Sequence, residues 1–479
     1  MKRNKDLRDF LEVVKKAGPD YYVEVKKPLD PHLEVGVIQH KLHKIDRNPV
    51  IYCPQIVGHK LPLVTNLFGS YELLGVALGM KAGKIDKNKI LHEYRKREAD
   101  PKPTVMVPPS EAPIKEVILR GKDADLGIIP FTHHAVLDSA KYITVANMIC
   151  RDPDTGVLNV GMYRHEVKGK NEIGCMFNPN HHGNLIARRY AELGKDMEVA
   201  IFLGHHPALV LASMYTGSKD VNELEVAGGL LGEPIRVTKC ETVDLPVPAD
   251  AEIVMEGVLD TRNMVTDGPF GEFTGHYGEG NKKVFLIKIK AITMRKDAIC
   301  HDLDSAHPEH NLACVLGFES PIYDAVKKVI PTVKAVHCPQ TGLSIYHIYV
   351  SIKKTSIGQG KLAALAALSA QIHAKTCIVV DDDIDVYDEK EVLFALATRM
   401  VPGRDISIIE NCAGNHLDPS AIDETRLKHG SLQDFLIIDA TKPLTLPTFE
   451  RIFPPQDLWN KMKLEDYIKD SSAPSYSRK

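Results

Sequence analysis

Two carboxylates flank a glycine- and proline-rich turn in Asp267-Gly268-Pro269-Phe270-Gly271-Glu272. Glycine and proline fix a tight path and let backbone approach a ligand closely. Two acids in unlike environments can have their proton affinities pushed apart, giving one proton donor and one charged partner; a solvated surface loop uses the same residue types. Arg164 offers a permanent cation that can hold a carboxylate through two parallel hydrogen bonds. Asn159 lies on the same apolar segment, and Glu223 opens Asn222-Glu223-Leu224-Glu225-Val226-Ala227. Three histidine pairs occur, His133-His134, His181-His182 and His205-His206. Asn and Glu supply hard oxygen and His supplies imidazole, a mixed set that suits Mn2+ or Mg2+ better than structural zinc. Nothing local forces Asn159, His182 and Glu223 together, and a histidine at a helix start is also an ordinary residue. Asn159 and Arg164 are five positions apart. That odd spacing puts them on opposite faces of a regular strand. Both reach one ligand only if the strand bends, bulges or ends between them, which Gly161 permits.

Two other segments carry less. Lys353–Leu362 (KKTSIGQGKL) misses the phosphate-loop spacing GxxxxGK[ST], because Thr355 and Leu362 stand at its first and last positions. It reads as a strand-to-helix turn. Asp381-Asp382-Asp383-Ile384-Asp385 resembles a calcium loop in charge only, with Val386 where that loop needs glycine. Bonding loop amides and capping the next helix is its expected use.

The elements that must position these residues fall into an α/β (α+β multidomain) pattern. Residues 1–117 read as mixed α/β, with a helix over 5–17, strands at 50–53 and 63–65, and helical periodicity in 71–80. The proline-rich stretch 100–113 reads as a linker. Residues 118–305 change to strands and turns: 142–151, 157–167 and 172–177 form a meander, with more strands at 197–203, 235–240, 252–259 and 284–294, and helices at 184–193 and 221–231. A barrel or sandwich is expected. Residues 306–445 read as β-α-β with a parallel, helix-covered sheet, including a capping box at Asp388-x-x-Glu391. Residues 446–479 form a helix-like segment and tail.

The 479 residues carry 60 basic and 63 acidic side chains, a net charge of -3. That balance gives no electrostatic reason for nucleic acid or a membrane surface. No apolar run reaches the ~18 residues of a bilayer span, and the charged start leads into an amphipathic helix, not a signal peptide. Nine scattered cysteines with no CxxC pair suit buried thiols in a reducing, cytoplasmic setting.

Taken in order, Asn159–Arg164 (NVGMYR), Asn222–Gly228 (NELEVAG), Asp267–Gly275 (DGPFGEFTG), Val379–Val386 (VVDDDIDV) and Ala397–Met400 (ATRM) resemble the UbiD family of prenylated-FMN-dependent decarboxylases over nearly the whole chain. The resemblance implies a central flavin-binding split β-barrel between N-terminal and C-terminal α/β domains. It implies a phosphate held through Mn2+ or Mg2+ by Asn159, His182 and Glu223, with His181 the adjacent alternative. Val160, Met162 and Arg164 would line the cofactor. K+ would sit on backbone oxygens of Ala212, Ser213 and Met214, and Lys428 would contact the phosphate. The implied catalytic trio is Arg164, Glu272 and Asp267, the last standing where the family usually has Glu. The implied activity is reversible non-oxidative decarboxylation of an unsaturated, aromatic or heteroaromatic, acid with exchange of CO2. A flavin prenyltransferase would supply the cofactor, and a homo-oligomer, dimer or hexamer, is expected. The competing readings are an FMN oxidoreductase, for which no GxGxxG hydride-donor site is present, and a non-catalytic subunit of a carboxylase complex.

Overall fold

The computed structural model describes residues 5–179, 181–278, 280, 282–371, 373–415, 417–421, 431–445 and 451–468. Helix Leu7–Ala17 buries Leu7, Phe10, Leu11 and Val14, one stripe at helical spacing. Asp6 stops it fraying: its carboxylate accepts from the Arg8 and Asp9 amides, and Asp9 returns the bond to the Asp6 amide. Beside it strands Tyr22–Glu24, Val50–Cys53 and Leu63–Thr65 form a sheet. Its fourth strand, Cys300–His301, arrives from far along the chain and pairs in parallel with Leu63–Thr65.

Six strands close the central barrel: β1 (Tyr142–Arg151), β2 (Leu158–Val167), β3 (Glu172–Met176), β4 (Met197–Leu203), β5 (Ile253–Asp267) and β6 (Lys282–Met294). The ring runs β5-β4-β1-β2-β3-β6 and returns to β5, antiparallel throughout. Closure removes the free edges that a sheet of long apolar strands would otherwise expose. β5 runs on well past the expected 252–259 and ends at Asp267. The proline-rich stretch contributes a strand of its own, Val105–Met106, which pairs with Arg236–Lys239.

The C-terminal sheet has the order Val333–His337, His347–Ile352, Thr376–Asp381, Leu432–Asp439, Ile406–Ala413. Its three central strands are parallel, but both edge strands run antiparallel. The fully parallel expectation fails at the first edge because the short 338–346 connection holds no crossover helix, which parallel pairing requires. Helix Pro308–Val329, with Pro321 inside it, lies against Gln359–Ala370. Asp388 caps helix Glu389–Arg399 through the Lys390 amide, without the reciprocal Glu391 bond of a full capping box. One continuous apolar core joins the N-terminal sheet, the barrel and the C-terminal sheet.

Candidate active site

Two polar clusters form along β2. In the first, Asn222 caps helix Glu223–Leu231 by accepting from the Leu224 amide at 3.0 Å, which sets Glu223 in the first turn against the strand. The Glu223 carboxylate accepts from Asn159 Nδ2 at 2.9 Å and from the Val160 amide at 2.7 Å. Both side chains are buried. No cation pairs with Glu223 among the described residues. Burial pushes its carboxyl up to about 7, against the pull of these hydrogen bonds. Tyr163, on the same face of β2, brings its hydroxyl to 3.5 Å from Asn159 Oδ1. Only glycine leaves it that path: a Cβ on Gly161 or Gly183 would lie 2.3 or 2.6 Å from the Tyr163 hydroxyl.

His182 begins helix His182–Glu192, which packs on β2. Burial lowers its pKa, and Lys219 adds to the effect. His181 stands just before it, its Nε2 3.2 Å from Asn178 Nδ2 and its ring 5.9 Å from that of Tyr163. Burial pushes His181 down to about 4, with His373 and His182 contributing. The structure thus joins Asn159 to Glu223, while no described hydrogen bond ties either histidine to them. Among the described residues no three His, Cys, Asp or Glu side chains converge. Ala212, Ser213 and Met214 end the helix Ala208–Ser213. A Cβ on Gly317 would lie 2.4 Å from the Met214 carbonyl oxygen. Lys428 lies outside the described residues.

The second cluster centres on Arg164. Asp267 is the last residue of β5, and Gly268 turns the chain at φ 80°. The Gly268 amide donates to the Tyr142 hydroxyl at 3.2 Å and to Glu166 Oε2 at 3.3 Å. Arg164 Nη2 donates to Asp267 Oδ2 at 2.5 Å and Nη1 donates to Glu272 Oε1. Its guanidinium also lies 4.4 Å from the centroid of the Phe270 ring. The Arg164, Asp267 and Glu272 side chains are 9%, 0% and 6% exposed. Burial works against the Arg164 charge, yet Glu272 and Asp267 outweigh it and hold the guanidinium above its ordinary pKa. Gly278 lets a neighbouring strand pass the acid, since a Cβ there would sit 2.6 Å from Glu272 Oε1. Arg164 Nε and Asp267 Oδ1 are buried without a hydrogen-bond partner.

The expected irregularity at Gly161 is displaced. β2 pairs with β1 without interruption on the β2 side, and the register shift falls between Ile143 and Ala146 of β1. Thr144 and Val145 together face Arg164, so the extra residue belongs to the neighbouring strand. Arg164 consequently keeps the face of β2 opposite to Asn159, and the two join separate clusters. Sequence reading also missed Tyr163, although its spacing of four from Asn159 places both on one face of a strand, and it missed Tyr142 and Glu166, which hold the Gly268 turn. The Asp381–Asp385 acids bond loop amides as expected, Asp381 accepting from the Lys442 amide at 2.7 Å and Asp385 from the Tyr387 amide at 2.9 Å. The cap of the next helix falls to Asp388 instead, and Arg399 donates to Asp381 at 2.8 Å and to Asp383 at 2.9 and 2.8 Å.

Comparison with known proteins defines the class. Residues 16–94, 105–308 and 314–440 match the N-terminal, Rift-related and C-terminal domains of 3-octaprenyl-4-hydroxybenzoate carboxy-lyase, UbiD. The chain belongs to the UbiD family. Anhydromevalonate phosphate decarboxylase of Methanosarcina mazei is 35% identical over 94% of this chain and 99% of its own. Phenolic acid decarboxylase of Sedimentibacter hydroxybenzoicus is 32% identical over 92% of each. The UbiD-class enzyme HmfF from Pelotomaculum thermopropionicum, solved in complex with FMN, superposes with a TM-score of 0.88 at 35% identity, over 97% of this chain and 100% of HmfF. An evolved dimeric form of HmfF in complex with prFMN gives 0.86 at 33%, over 97% and 100%. Among the described residues no helix is long and apolar enough to cross a membrane.

Proposed function

We propose that this chain is a decarboxylase that removes or exchanges CO2 on an unsaturated carboxylic acid with prenylated FMN, and that Glu272 is its proton donor. The observation that carries the reading is the buried trio: one guanidinium holds two carboxylates, and Arg164 Nε and Asp267 Oδ1 remain unpartnered beside it. Buried polar atoms are ordinarily hydrogen-bonded, so these two leave capacity for a further partner.

The residues present fit the implied group. Glu223 is a buried carboxylate whose described partners are amide donors, and burial raises its pKa. A divalent cation would relieve that desolvation. Asn159, Glu223 and His182 would hold such an ion, Mn2+ or Mg2+, against the cofactor phosphate, with His181 the neighbouring alternative. K+ would take the backbone oxygens of Ala212, Ser213 and Met214, and Lys428 would reach the phosphate. Val160, Met162 and Arg164 would run along the cofactor. When bound, prenylated FMN supplies an electrophilic centre that takes up the electrons released as CO2 leaves.

The chain's own part is positioning and proton delivery. Arg164 spreads one positive charge over two carboxylates in a buried site, and the reaction calls for one proton. Glu272 delivers that proton to the carbon vacated by CO2, and Asp267 keeps Arg164 aligned. Asp267 is one methylene shorter than Glu, and it still meets Arg164 Nη2 at 2.5 Å. The intact trio favours a working enzyme over a non-catalytic subunit.

The two curated relatives are named for unlike acids, one phenolic and one a phosphate ester. Aromatic and heteroaromatic acids are the first class to test, with α,β-unsaturated aliphatic acids as the second. The protein would be purified anaerobically from cells co-expressing a flavin prenyltransferase. Bound prenylated FMN by mass spectrometry, and incorporation of labelled CO2 into one of these acids, are expected. A fully loaded protein that exchanges no acid in either class would defeat the reading. A homo-oligomer, dimer or hexamer, is also proposed, to be measured by light scattering. The nine free cysteines accord with a cytoplasmic setting.

A further inference from the structure

The backbone that carries Glu272 is held from two sides. The preceding residue, Gly271, donates its N–H to Asp138 Oδ1 at 2.7 Å, and its carbonyl accepts from Ser305 Oγ at 2.5 Å. Asp138 is 7% exposed and Ser305 3%. The second Asp138 oxygen accepts from the Ala135 amide at 3.0 Å, and the next residue, Ser139, donates its amide to the Pro269 carbonyl at 3.0 Å. The Asp138 segment is itself tied down: the His133 amide donates to Pro31 and the His133 carbonyl accepts from Leu33. Ser305 approaches from the chain leading into helix Pro308–Val329. There is little slack between these parts, because a Cβ on Gly271 would lie 3.2 Å from Ala135 Cβ and 3.6 Å from Asp138 Oδ1.

A proton donor must lie within hydrogen-bond reach of the atom it serves. A misplacement of about 1 Å can cost up to ~10²-fold in rate. Glu272 swings on its own side-chain torsions, so its reach is only as reliable as the peptide plane behind it. Ser305 grips that plane through the Gly271 carbonyl, and Asp138 holds the plane before it, Phe270–Gly271, through a charge-assisted bond, the stronger kind. Neither Asp138 nor Ser305 has a described contact with Arg164, Asp267 or the Glu272 carboxyl, so any influence on the proton runs through the backbone.

We propose that Asp138 and Ser305 are positioning residues for Glu272, holding the Gly271 peptide so that the Glu272 carboxyl stays on Arg164 and faces the reacting carbon. This rests on the reading of Glu272 as proton donor. The test is a set of double-mutant cycles in the prenylated-FMN-loaded enzyme, using the acid with the highest turnover in the labelled-CO2 screen. Ser305→Ala, Asp138→Ala and Asp138→Asn are each made alone and together with Glu272→Gln. Ser305→Ala and Asp138→Ala are expected to lower kcat roughly 10-fold. KM should stay within about twofold, since ground-state binding is untouched, and flavin content should be unchanged. Asp138→Asn, which keeps one acceptor for the Gly271 amide, should recover part of the loss. With Glu272→Gln already present, none of the three should lower kcat further. Losses that multiply undiminished in that background, or wild-type kcat in both alanine variants, overturn the proposal. Wild-type kcat in Glu272→Gln alone overturns the donor reading first, and the positioning role with it. If Asp138→Ala does not fold, the Ser305→Ala cycle decides by the same criteria.

Discussion

The two ends of β2 treat buried carboxylates in opposite ways. Glu223 is met by an amide side chain and a backbone N–H, and burial pushes its carboxyl up to about 7. Asp267 and Glu272 are buried as deeply but share the Arg164 guanidinium. The comparison teaches that burial alone does not define a site; what matters is whether the protein supplies the compensating charge. At the Arg164 end it does. At the Asn159 end, among the described residues, it does not.

The largest break in this comparison is expected from Glu272→Gln, which keeps shape and removes the acid. Turnover and hydrogen–deuterium exchange at the product's reacting carbon should fall together by about 10²–10⁴, while flavin content holds. Asp267→Asn should have a smaller effect on turnover if it only aligns Arg164. Next is Arg164→Met, which strips two buried carboxylates of their cation. Urea denaturation should show a loss of about 3–5 kcal/mol at pH 7.5.

A fourth buried carboxylate allows the same comparison within one molecule. Asp302 accepts from His134 Nε2 at 3.1 Å and from Thr132 at 2.7 Å, so its cation can be titrated away. Burial works against the His134 charge, but Asp302 outweighs it and raises the imidazole from 6.5 to about 9. The folded-state pKa is raised, so the pair's contribution is complete below about 6.5 and is lost as pH rises through about 9. The stability gap between wild type and His134→Gln should therefore close over that window, by about 1–3 kcal/mol. In the metal- and flavin-free protein the smallest effect on stability is expected from Glu223→Gln, within about 1 kcal/mol, because no described ion pair is broken. Metal and flavin content should nevertheless drop together, and unchanged occupancy of both would remove Glu223 from the ligand set.

Much of this arrangement was legible in the sequence, for reasons that differ by residue. The Asp267–Glu272 turn announces itself because two acids, two glycines and a proline fall within six positions. The strands of the barrel are legible because apolar residues alternate between turn signals. The bulge opposite Arg164 is not, since the strand that carries Arg164 is regular and the extra residue sits in β1. Helix Pro308–Val329 was missed, and Pro321 in its interior is the kind of residue that ordinarily ends a helix. The antiparallel edges of the C-terminal sheet follow from connection length more than from strand composition. Asp138 and Ser305 left no local trace, because each meets Gly271 across more than a hundred positions of chain, or across more than thirty.

The unbroken β2 strand also works as a gauge. Each residue advances a strand by about 3.3 Å, so the five steps from Asn159 to Arg164 set a fixed span of roughly 17 Å along it. One added residue would turn Arg164 away from its acids, and two would restore its facing but lengthen the span by about 7 Å. Change in this stretch therefore comes in whole steps, and no gradual drift in spacing is open to it. Within Leu158–Val167 the chain can vary its side chains but not its length.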